Sequence, residues 1–348
     1  MPRKIIYVFP GQASQYIGMG RDLYDHSTSA RAVMDRIASM EGLSHIPDLC
    51  WNGPDQLLTR TDNVQPAITA ISLMAVAALR SAFADTPDLI APVACAGHSL
   101  GEYSAHYAAG NLNEEQVMNL VKWRGYHMNL ASQPPHPTGG MIAVMGLPLE
   151  QLEQIVAEVG TDKIAVANIN SRNQIILSGL QSAIETAKEL LTAAKAKRVI
   201  PLNVSGAWHS PLMVPAQASM VSVIDKIITD GTGAFTASDP VVVANATAQP
   251  VRSTNELRAT LISQITSPIR WEQCVTELLK VAGVTGLPSE MDHSARAASM
   301  PFPLIVEVGA GKVISGLVKG IDRQIETTNV EDMAGIDKLK ELLEARSS

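Results

Sequence analysis

The sequence is poor in cysteine. Its 348 residues include only Cys50, Cys95 and Cys274, which lie far apart and form no CxxC pair. Disulfide frameworks and structural zinc sites both need patterned cysteines, so the sequence supports neither. We expect three reduced core thiols and no bound metal.

Basic clusters and long apolar runs are also missing. The formal net charge is -7 and the isoelectric point is about 5.6, without any Lys/Arg block. A nucleic-acid partner is therefore not expected, because binding phosphates requires a basic face. The apolar run in the opening segment MPRKIIYVFPGQ is too short for a signal peptide. No apolar run approaches the roughly 20 residues of a membrane span. We expect a cytoplasmic protein that does not bind membranes.

The residues that are present predict an α/β protein. Hydrophobic residues make up 46% and charged residues 18% of the chain, which is typical of a globular fold. Apolar periodicity and turn residues predict strands over 4–9 and 92–96, helices over 64–83 and from 114 onward, and later α/β elements over 241–244, 255–265, 275–282 and 304–308. Asn113 and Gln116 are placed to form a capping box at the second of these helices.

A second, smaller unit is predicted within the chain. Residues 134–140, PPHPTGG, are typical of a hinge, and the six elements that follow read β-α-β-β-α-β, the order of a ferredoxin-like unit. We predict a large domain of residues 1–137 and 203–348 and a small subdomain of residues 138–202. Residues 286–303 lack periodicity and are interpreted as an inserted surface loop.

The segment AGHSLGEY indicates a nucleophile. Ser99 stands between Gly97 and Gly101, after a predicted strand and before a helix-compatible stretch, as in a strand-turn-helix elbow. The backbone N–H of Leu100 would be one oxyanion donor, and that of Gln12 in FPGQASQ is a suitable second one. Both motifs are short, so a chance serine match and an ordinary glycine turn are the alternatives.

A serine nucleophile needs a base, and His209 in SGAWHSPLM is the leading candidate. It follows a predicted strand within a turn of small residues, where its side chain can face a cleft. His98 is adjacent to Ser99, but neighbouring side chains diverge at an elbow, so we interpret it as a structural residue.

Arg124 is the most informative charge. It lies in the apolar stripe formed by Val117, Leu120, Val121 and Met128, so its side chain points inward. Its stem could cover apolar surface while its head reaches water. If it is buried, it needs an anionic ligand or an internal acid; a carboxylate ligand is the interpretation we favour.

Together these segments resemble the malonyl-CoA:acyl carrier protein transacylase family, over nearly the whole chain. The matching motifs, in order, are FPGQASQ, GHSLGEY, KWRG, NINSRNQIILSG, AWHS, SPIRW and EVGAGKV.

The resemblance implies a Ser99–His209 dyad, Arg124 as the binder of the malonyl carboxylate, and Gln12 and Leu100 as the oxyanion hole. It also implies that the backbone carbonyl of Gln264 orients His209. The implied fold is an α/β-hydrolase-like large domain with a ferredoxin-like small one. The implied partners are malonyl-CoA and an acyl carrier protein, in fatty acid or polyketide synthesis, with no cofactor. We expect a monomer.

Further features concern specificity and docking. Trp208, directly before the histidine, and Leu100, directly after the serine, resemble the residues at these positions in malonyl-selective members of the family. Ala13 and Arg172 replace a glycine and a proline common in the family. Lys312 and Lys319 are candidates for a basic patch that docks the acidic carrier protein.

Three alternative functions remain open. A hydrolase that clears acyl chains from carrier proteins would generally lack the arginine. A transferase subunit of a malonate decarboxylase would keep the chemistry and change the partner. A catalytically silent docking module would not need Ser99 and His209.

Overall fold

The computed structural model describes residues 3–229, 235, 240–284, 286–291 and 302–344. Most of the predicted loop over 286–303 lies outside these residues, so its prediction is not tested. The strands are β1 (Ile5–Phe9), β2 (Pro92–Gly97), β3 (Gly139–Met145), β4 (Ile164–Ser171), β5 (Gln174–Leu180), β6 (Arg198–Pro201), β7 (Val241–Val243), β8 (Pro250–Val251), β9 (Leu304–Val308) and β10 (Thr327–Val330).

The helices surround two sheets. They are α1 (Arg21–His26), α2 (Thr28–Ser39), α3 (Ile46–Asn52), α4 (Asp55–Leu58), α5 (Thr61–Ala82), α6 (Gly101–Ala108), α7 (Glu114–Ala131), α8 (Leu149–Val159), α9 (Gln181–Ala193), α10 (Val214–Thr229), α11 (Thr254–Ser263), α12 (Trp271–Val281), α13 (Val313–Ile321) and α14 (Met333–Glu344). Short 3-10 turns cover Pro87–Leu89 and Pro211–Met213.

The larger sheet has the strand order β10-β9-β1-β2-β7-β8, and all pairs are parallel except β7 with β8. β1 is buried along its whole length, as its β-branched and aromatic sequence predicts. In the β1–β2 pair Phe9 is aligned with Gly97. The loops that follow these two strands therefore leave the same edge of the sheet side by side.

The smaller sheet is antiparallel, with the strand order β4-β5-β3-β6. Helices α8 and α9 bury Leu152, Ile155, Ile184 and Leu191 in a separate core with the apolar side chains of this sheet. The predicted fold class, a parallel α/β domain with a ferredoxin-like unit, is confirmed. The domain boundaries at 137/138 and 202/203 stay a prediction.

Two segments are long and apolar enough to span a membrane by length and composition alone, Thr61–Ala82 and Pro211–Ile228. Most residues of α5 are buried inside the protein, so here it is a core helix. The second segment buries Ala216, Met220 and Ile224 along one face, as an amphipathic surface helix does.

The polar end of β4 joins the two sheets' domains. Asn168 pairs with Ile269 in a parallel bridge, and the Ile169 N–H donates to the Ile269 carbonyl at 2.8 Å. Beyond this bridge, β4 continues to Ser171 through its pairing with Gln174 of β5.

Candidate active site

Ser99 occupies a sharp turn between β2 and α6. Its φ is +51°, in the left-handed region, where a residue with a side chain is strained. A Cβ atom on Gly97 would lie 1.9 Å from the backbone of Gly101, and one on Gly101 would lie 2.2 Å from the Phe9 carbonyl oxygen. Both glycines are therefore required by backbone packing, and the turn presses against the end of β1.

Ser99, His209 and Gln264 form a hydrogen-bonded chain. The Ser99 Oγ lies 2.7 Å from His209 Nε2, and His209 Nδ1 lies 2.8 Å from the Gln264 carbonyl oxygen. A carbonyl oxygen only accepts, so Nδ1 carries the ring proton and Nε2 is free to accept the proton of the serine hydroxyl. This is the arrangement that general-base activation of a serine requires.

The guanidinium of Arg124 completes the site from α7. The side chain is fully buried, so it does not reach water at its head. One terminal nitrogen donates to Gln65 Oε1 at 2.8 Å, and the other donates to Ser99 Oγ at 3.0 Å and Gln264 Oε1 at 3.1 Å. The Tyr103 ring faces it with its centroid 5.5 Å away. Every one of these partners is neutral.

Burial controls the charges in the site. It lowers the pKa of His209 to about 3, helped by the positive charge of Arg124 and opposed by the hydrogen bond to Gln264. Burial also lowers the pKa of Arg124, and it raises the pKa of Glu102 to about 7 against hydrogen bonds from Asn245 and Gln264. The imidazole of His209 is therefore uncharged at pH 7, which is the form that can accept a proton.

The two predicted oxyanion residues lie on either side of Ser99. Leu100 is the next residue along the elbow and is buried. Gln12 follows Gly11, whose added Cβ would lie 2.4 Å from the His98 carbonyl oxygen, so this loop touches the elbow. The Gln12 side chain donates to Thr61 Oγ1 at 2.9 Å, at the start of α5. Their role as backbone donors stays a prediction.

Trp208 and His98 flank the catalytic pair. Trp208 is 5% exposed, and a Cβ on Gly206 would lie 2.6 Å from its ring, so the indole is packed firmly in place. Its role in selecting the acyl group stays a prediction. His98 lies 2.9 Å from Asn170 Oδ1 on β4 and contacts Trp271 edge-on. It thus points away from the serine, as expected for a structural residue.

Three residues of the site were not identified as functional candidates from the sequence. Asn245 Oδ1 accepts from the Ser99 N–H, while Gln65 and Glu102 contact Arg124 and Gln264 respectively. Each is a polar residue in an apolar setting: one at the end of β7, one within α5, and one in the first turn of α6. The rule that identified Arg124 does not identify Gln65, because Thr61, Thr69 and Ser72 lie at helical spacing from it and make its stripe largely polar.

The candidate docking residues Lys312, Lys319 and Arg172 already have polar partners within the protein. Lys319 donates its ammonium to the carbonyl oxygens of Arg323 and Ile325, and Lys312 lies 3.7 Å from Glu331. Arg172 forms ion pairs with Glu272 on α12 and with Glu290, at 3.3 and 2.7 Å. A docking role for Lys312, Lys319 and Arg172 stays a prediction.

Within the residues that the structure describes, no group of three or more His, Cys, Asp or Glu side chains could hold a metal ion. The cysteines Cys50, Cys95 and Cys274 are buried and unpaired. Burial raises the pKa of Cys50 and Cys95 to about 12 and raises that of Cys274 further, which keeps the thiols protonated and unreactive.

Comparison with known proteins bears on this geometry. The model of the acyl transferase domain family matches residues 6–282. The malonyl CoA-acyl carrier protein transacylase of Bacillus subtilis is 35% identical over 337 residues, 96% of this chain and 95% of its own length. The chain belongs to the malonyl-CoA:acyl carrier protein transacylase family.

Solved transacylase structures share the whole fold. A malonyl-transacylase in complex with its type II PKS acyl-carrier protein is 31% identical, with a TM-score of 0.82 and coverage of 98% of this chain and 99% of that one. The MCAT structure of Streptococcus pneumoniae is 32% identical, with a TM-score of 0.82 and coverage of 98% and 100%. The resemblance inferred from seven sequence motifs is confirmed.

Proposed function

We propose that this protein transfers the malonyl group of malonyl-CoA to the phosphopantetheine thiol of an acyl carrier protein, through a malonyl ester on Ser99. The observation that carries the proposal is the position of the Ser99 Oγ, 2.7 Å from His209 Nε2 and 3.0 Å from the buried guanidinium of Arg124. A base and a carboxylate binder thus meet at one nucleophile.

In the first half-reaction the Ser99 Oγ attacks the thioester carbonyl carbon while His209 Nε2 takes the hydroxyl proton. The carbonyl oxygen becomes negative, and the backbone N–H groups of Leu100 and Gln12 stabilise it. The carbon–sulfur bond then breaks, and coenzyme A leaves as a thiol after His209 returns the proton to sulfur. The Gln264 carbonyl holds Nδ1 throughout, so only Nε2 exchanges protons.

Arg124 supplies the selectivity for a dicarboxylic acyl group. Its hydrogen-bond partners in the free protein are neutral, so the malonyl carboxylate is the anion that binds the buried guanidinium directly. Binding that carboxylate also weakens the field that lowers the pKa of His209. The imidazolium formed during the attack is therefore stabilised when the correct substrate is present.

In the second half-reaction the carrier thiol replaces coenzyme A. His209 takes the thiol proton, sulfur attacks the ester carbonyl, and the Ser99 oxygen leaves with that proton. The sequence is a ping-pong transfer without a cofactor. Water has to be kept from the ester between the two halves, and the burial of His209 and Trp208 favours this.

The carrier-protein hydrolase and the malonate decarboxylase subunit are not favoured, because the relatives are transacylases and Arg124 is present and buried. A silent docking module is not favoured, because Ser99 and His209 are in hydrogen-bonding contact. A cytoplasmic location and a monomeric state remain predictions.

The first test is intact-protein mass spectrometry after brief incubation with malonyl-CoA or acetyl-CoA. We expect a malonyl adduct on the wild type, none on Ser99→Ala, and a much weaker one on Arg124→Ala. Adding a phosphopantetheinylated carrier protein should discharge the adduct and transfer its mass to the carrier. Absence of a malonyl adduct on the wild type, or an adduct lost only to water, contradicts the proposal.

A further inference from the structure

Glu102 is a buried carboxylate three residues after Ser99 that the mechanism above does not use. Its side chain is fully buried on α6. One oxygen, Oε2, accepts hydrogen bonds from the Asn245 N–H and from Gln264 Nε2, both at 2.8 Å. Within the described residues the other oxygen, Oε1, has no hydrogen-bond partner. A buried carboxylate is costly, so its presence here calls for a reason.

Gln264 connects this carboxylate to the reacting groups. Its Nε2 donates to Glu102 Oε2 and to the Ser99 carbonyl oxygen, at 2.8 and 3.0 Å. Its Oε1 accepts from Arg124 at 3.1 Å, and its main-chain oxygen accepts from His209. One residue thus contacts the nucleophile's backbone, the base and the carboxylate binder.

The direction of the Gln264 amide is the decisive point. An ionised carboxylate only accepts hydrogen bonds, so Glu102 requires the NH₂ end of the amide. The oxygen end then faces the guanidinium of Arg124. With the amide reversed, its NH₂ group would face a cation and its oxygen would face the carboxylate, which is unfavourable at both ends.

We propose that Glu102 is a positioning residue for carboxylate recognition: it turns the oxygen of the Gln264 amide toward Arg124 and so holds the guanidinium beside Ser99. The proposal rests on the proposed function, since it concerns how that site distinguishes malonyl from neutral acyl groups. The charge of Glu102 also balances the buried guanidinium through Gln264 rather than by direct contact. Arg124 therefore stays available to a second carboxylate, that of the substrate.

The pairing of charges agrees with this arrangement. The carboxylate of Glu102 opposes the lowering of the Arg124 pKa, and Arg124 opposes the raising of the Glu102 pKa. Within the described residues, no Lys or Arg nitrogen lies within 4 Å of Glu102. The other titratable groups that face it are Tyr103 on its own helix and Cys274 on α12, both protonated at neutral pH.

The test compares second-order rate constants for labelling of Ser99 by malonyl-CoA and by acetyl-CoA. Glu102→Gln should lower the malonyl-to-acetyl ratio by about tenfold or more, since a charge-assisted hydrogen bond is lost. Glu307→Gln is the matched control: Glu307 is also fully buried, and its carboxylate accepts from Ile314 and Ser315 N–H at the start of α13. This control should leave the ratio unchanged.

A double-mutant cycle tests the route through Gln264. If Glu102 acts through that amide, Glu102→Gln should change the ratio little once Gln264→Ala is present. Equal losses with both substrates, a similar loss of ratio in Glu307→Gln, or full additivity with Gln264→Ala overturns the proposal. Failure of the wild type to accept malonyl overturns the proposed function instead, so the two failures are distinguishable.

The wild type gives a second test that does not depend on a folded variant. Because burial raises the pKa of Glu102 to about 7, lowering the pH from 8 to 6 protonates it, whereas the substrate carboxylate stays ionised. The malonyl-to-acetyl ratio should fall over this range in the wild type. A flat ratio over a pH range in which the stability of the wild type shows Glu102 taking up its proton overturns the proposal.

Discussion

Asn245 holds the elbow of Ser99 at two points. Its Oδ1 accepts from the Ser99 N–H at 2.7 Å, and its Nδ2 donates to the Gly97 carbonyl oxygen at 2.7 Å. The strained φ of Ser99 is thus maintained by a side chain 146 residues away in sequence. Strain of this kind persists only where the surroundings enforce it.

Removing the Asn245 side chain should damage both stability and acylation. Asn245→Ala leaves a buried donor and a buried acceptor without partners, so we expect a loss of about 3 kcal/mol in the free energy of unfolding. The rate of Ser99 acylation should fall as well. Asn111→Ala, which removes a buried partner of His106, should lower stability but not the acylation rate of the folded protein. Equal acylation rates in the two variants would contradict the role given to Asn245.

The rate of Ser99 modification should not fall as the pH is lowered within the physiological range. Since the pKa of His209 is lowered to about 3, the imidazole is neutral from pH 5 to 8. Modification of Ser99 by a neutral serine-reactive fluorophosphonate should therefore have a nearly constant rate over that range. His209→Ala should slow it about 100-fold or more. A rate that falls in the wild type as the pH drops through 6.5 would show that His209 titrates normally.

A carboxylate placed beside Arg124 should compete with the substrate. Gln65 Oε1 accepts from Arg124 at 2.8 Å, so Gln65→Glu creates a buried ion pair with almost no change of shape. We expect the KM for malonyl-CoA to rise about tenfold or more, with little change for acetyl-CoA. Gln65→Met, which adds no charge, should have a smaller effect on KM. If both variants behave alike, charge competition at Arg124 is refuted.

Ala13 occupies a position that suits glycine. Its φ is +79° in the exposed loop after Gly11, where a residue with a Cβ atom is strained by about 1–2 kcal/mol. Ala13→Gly should therefore raise the free energy of unfolding by up to about 1 kcal/mol. Ala218→Gly, at an exposed position within α10, should lower it by about 1 kcal/mol. Chemical denaturation of both variants measures the difference, and losses of the same size would rule out strain at Ala13.

The raised pKa of Glu102 should also make the stability of the folded protein depend on pH. In the folded protein this group binds its proton up to about pH 7, whereas the unfolded chain releases it near its ordinary pKa. The wild type should thus lose about 3 kcal/mol from this group as the pH rises from 4.5 to 7. Glu102→Gln lacks that loss, so its Tm relative to the wild type should increase between pH 5 and 8. A constant difference in Tm would mean that Glu102 is ionised at every pH tested.

Local patterns predicted those parts of the fold whose causes are local. The capping box of Asn113 and Gln116 was predicted and is present, because it depends on residues three apart. The inward direction of Arg124 was predicted from helical spacing in the same way. Helices α1, α3 and α4 were missed because they have seven residues or fewer. Helices α2 and α10 were missed although their buried residues recur at helical spacing.

The side-chain network could not be predicted from local patterns. Asn245, Gln264 and Glu102 meet because β7 lies beside β2 and α11 ends above the elbow, which is a property of the sheet order. The role of Gln264 came instead from the family resemblance, whereas the small-residue turn around His209 had already made it the leading candidate for the base. Hydrogen bonds between polar residues that are far apart in sequence can be predicted only when the topology is known.

The elbow has a consequence for how the protein is made. Ser99 is held by contacts from the loop after β1, from Asn245 and from Gln264, so its environment draws on segments spread over more than two thirds of the chain. During synthesis the serine emerges long before Asn245 and Gln264, and an unfolded serine is an ordinary alcohol. Reactivity of Ser99 toward an acyl donor is therefore a chemical marker of completed folding, and it should first appear only after the ribosome has released the segment around Gln264.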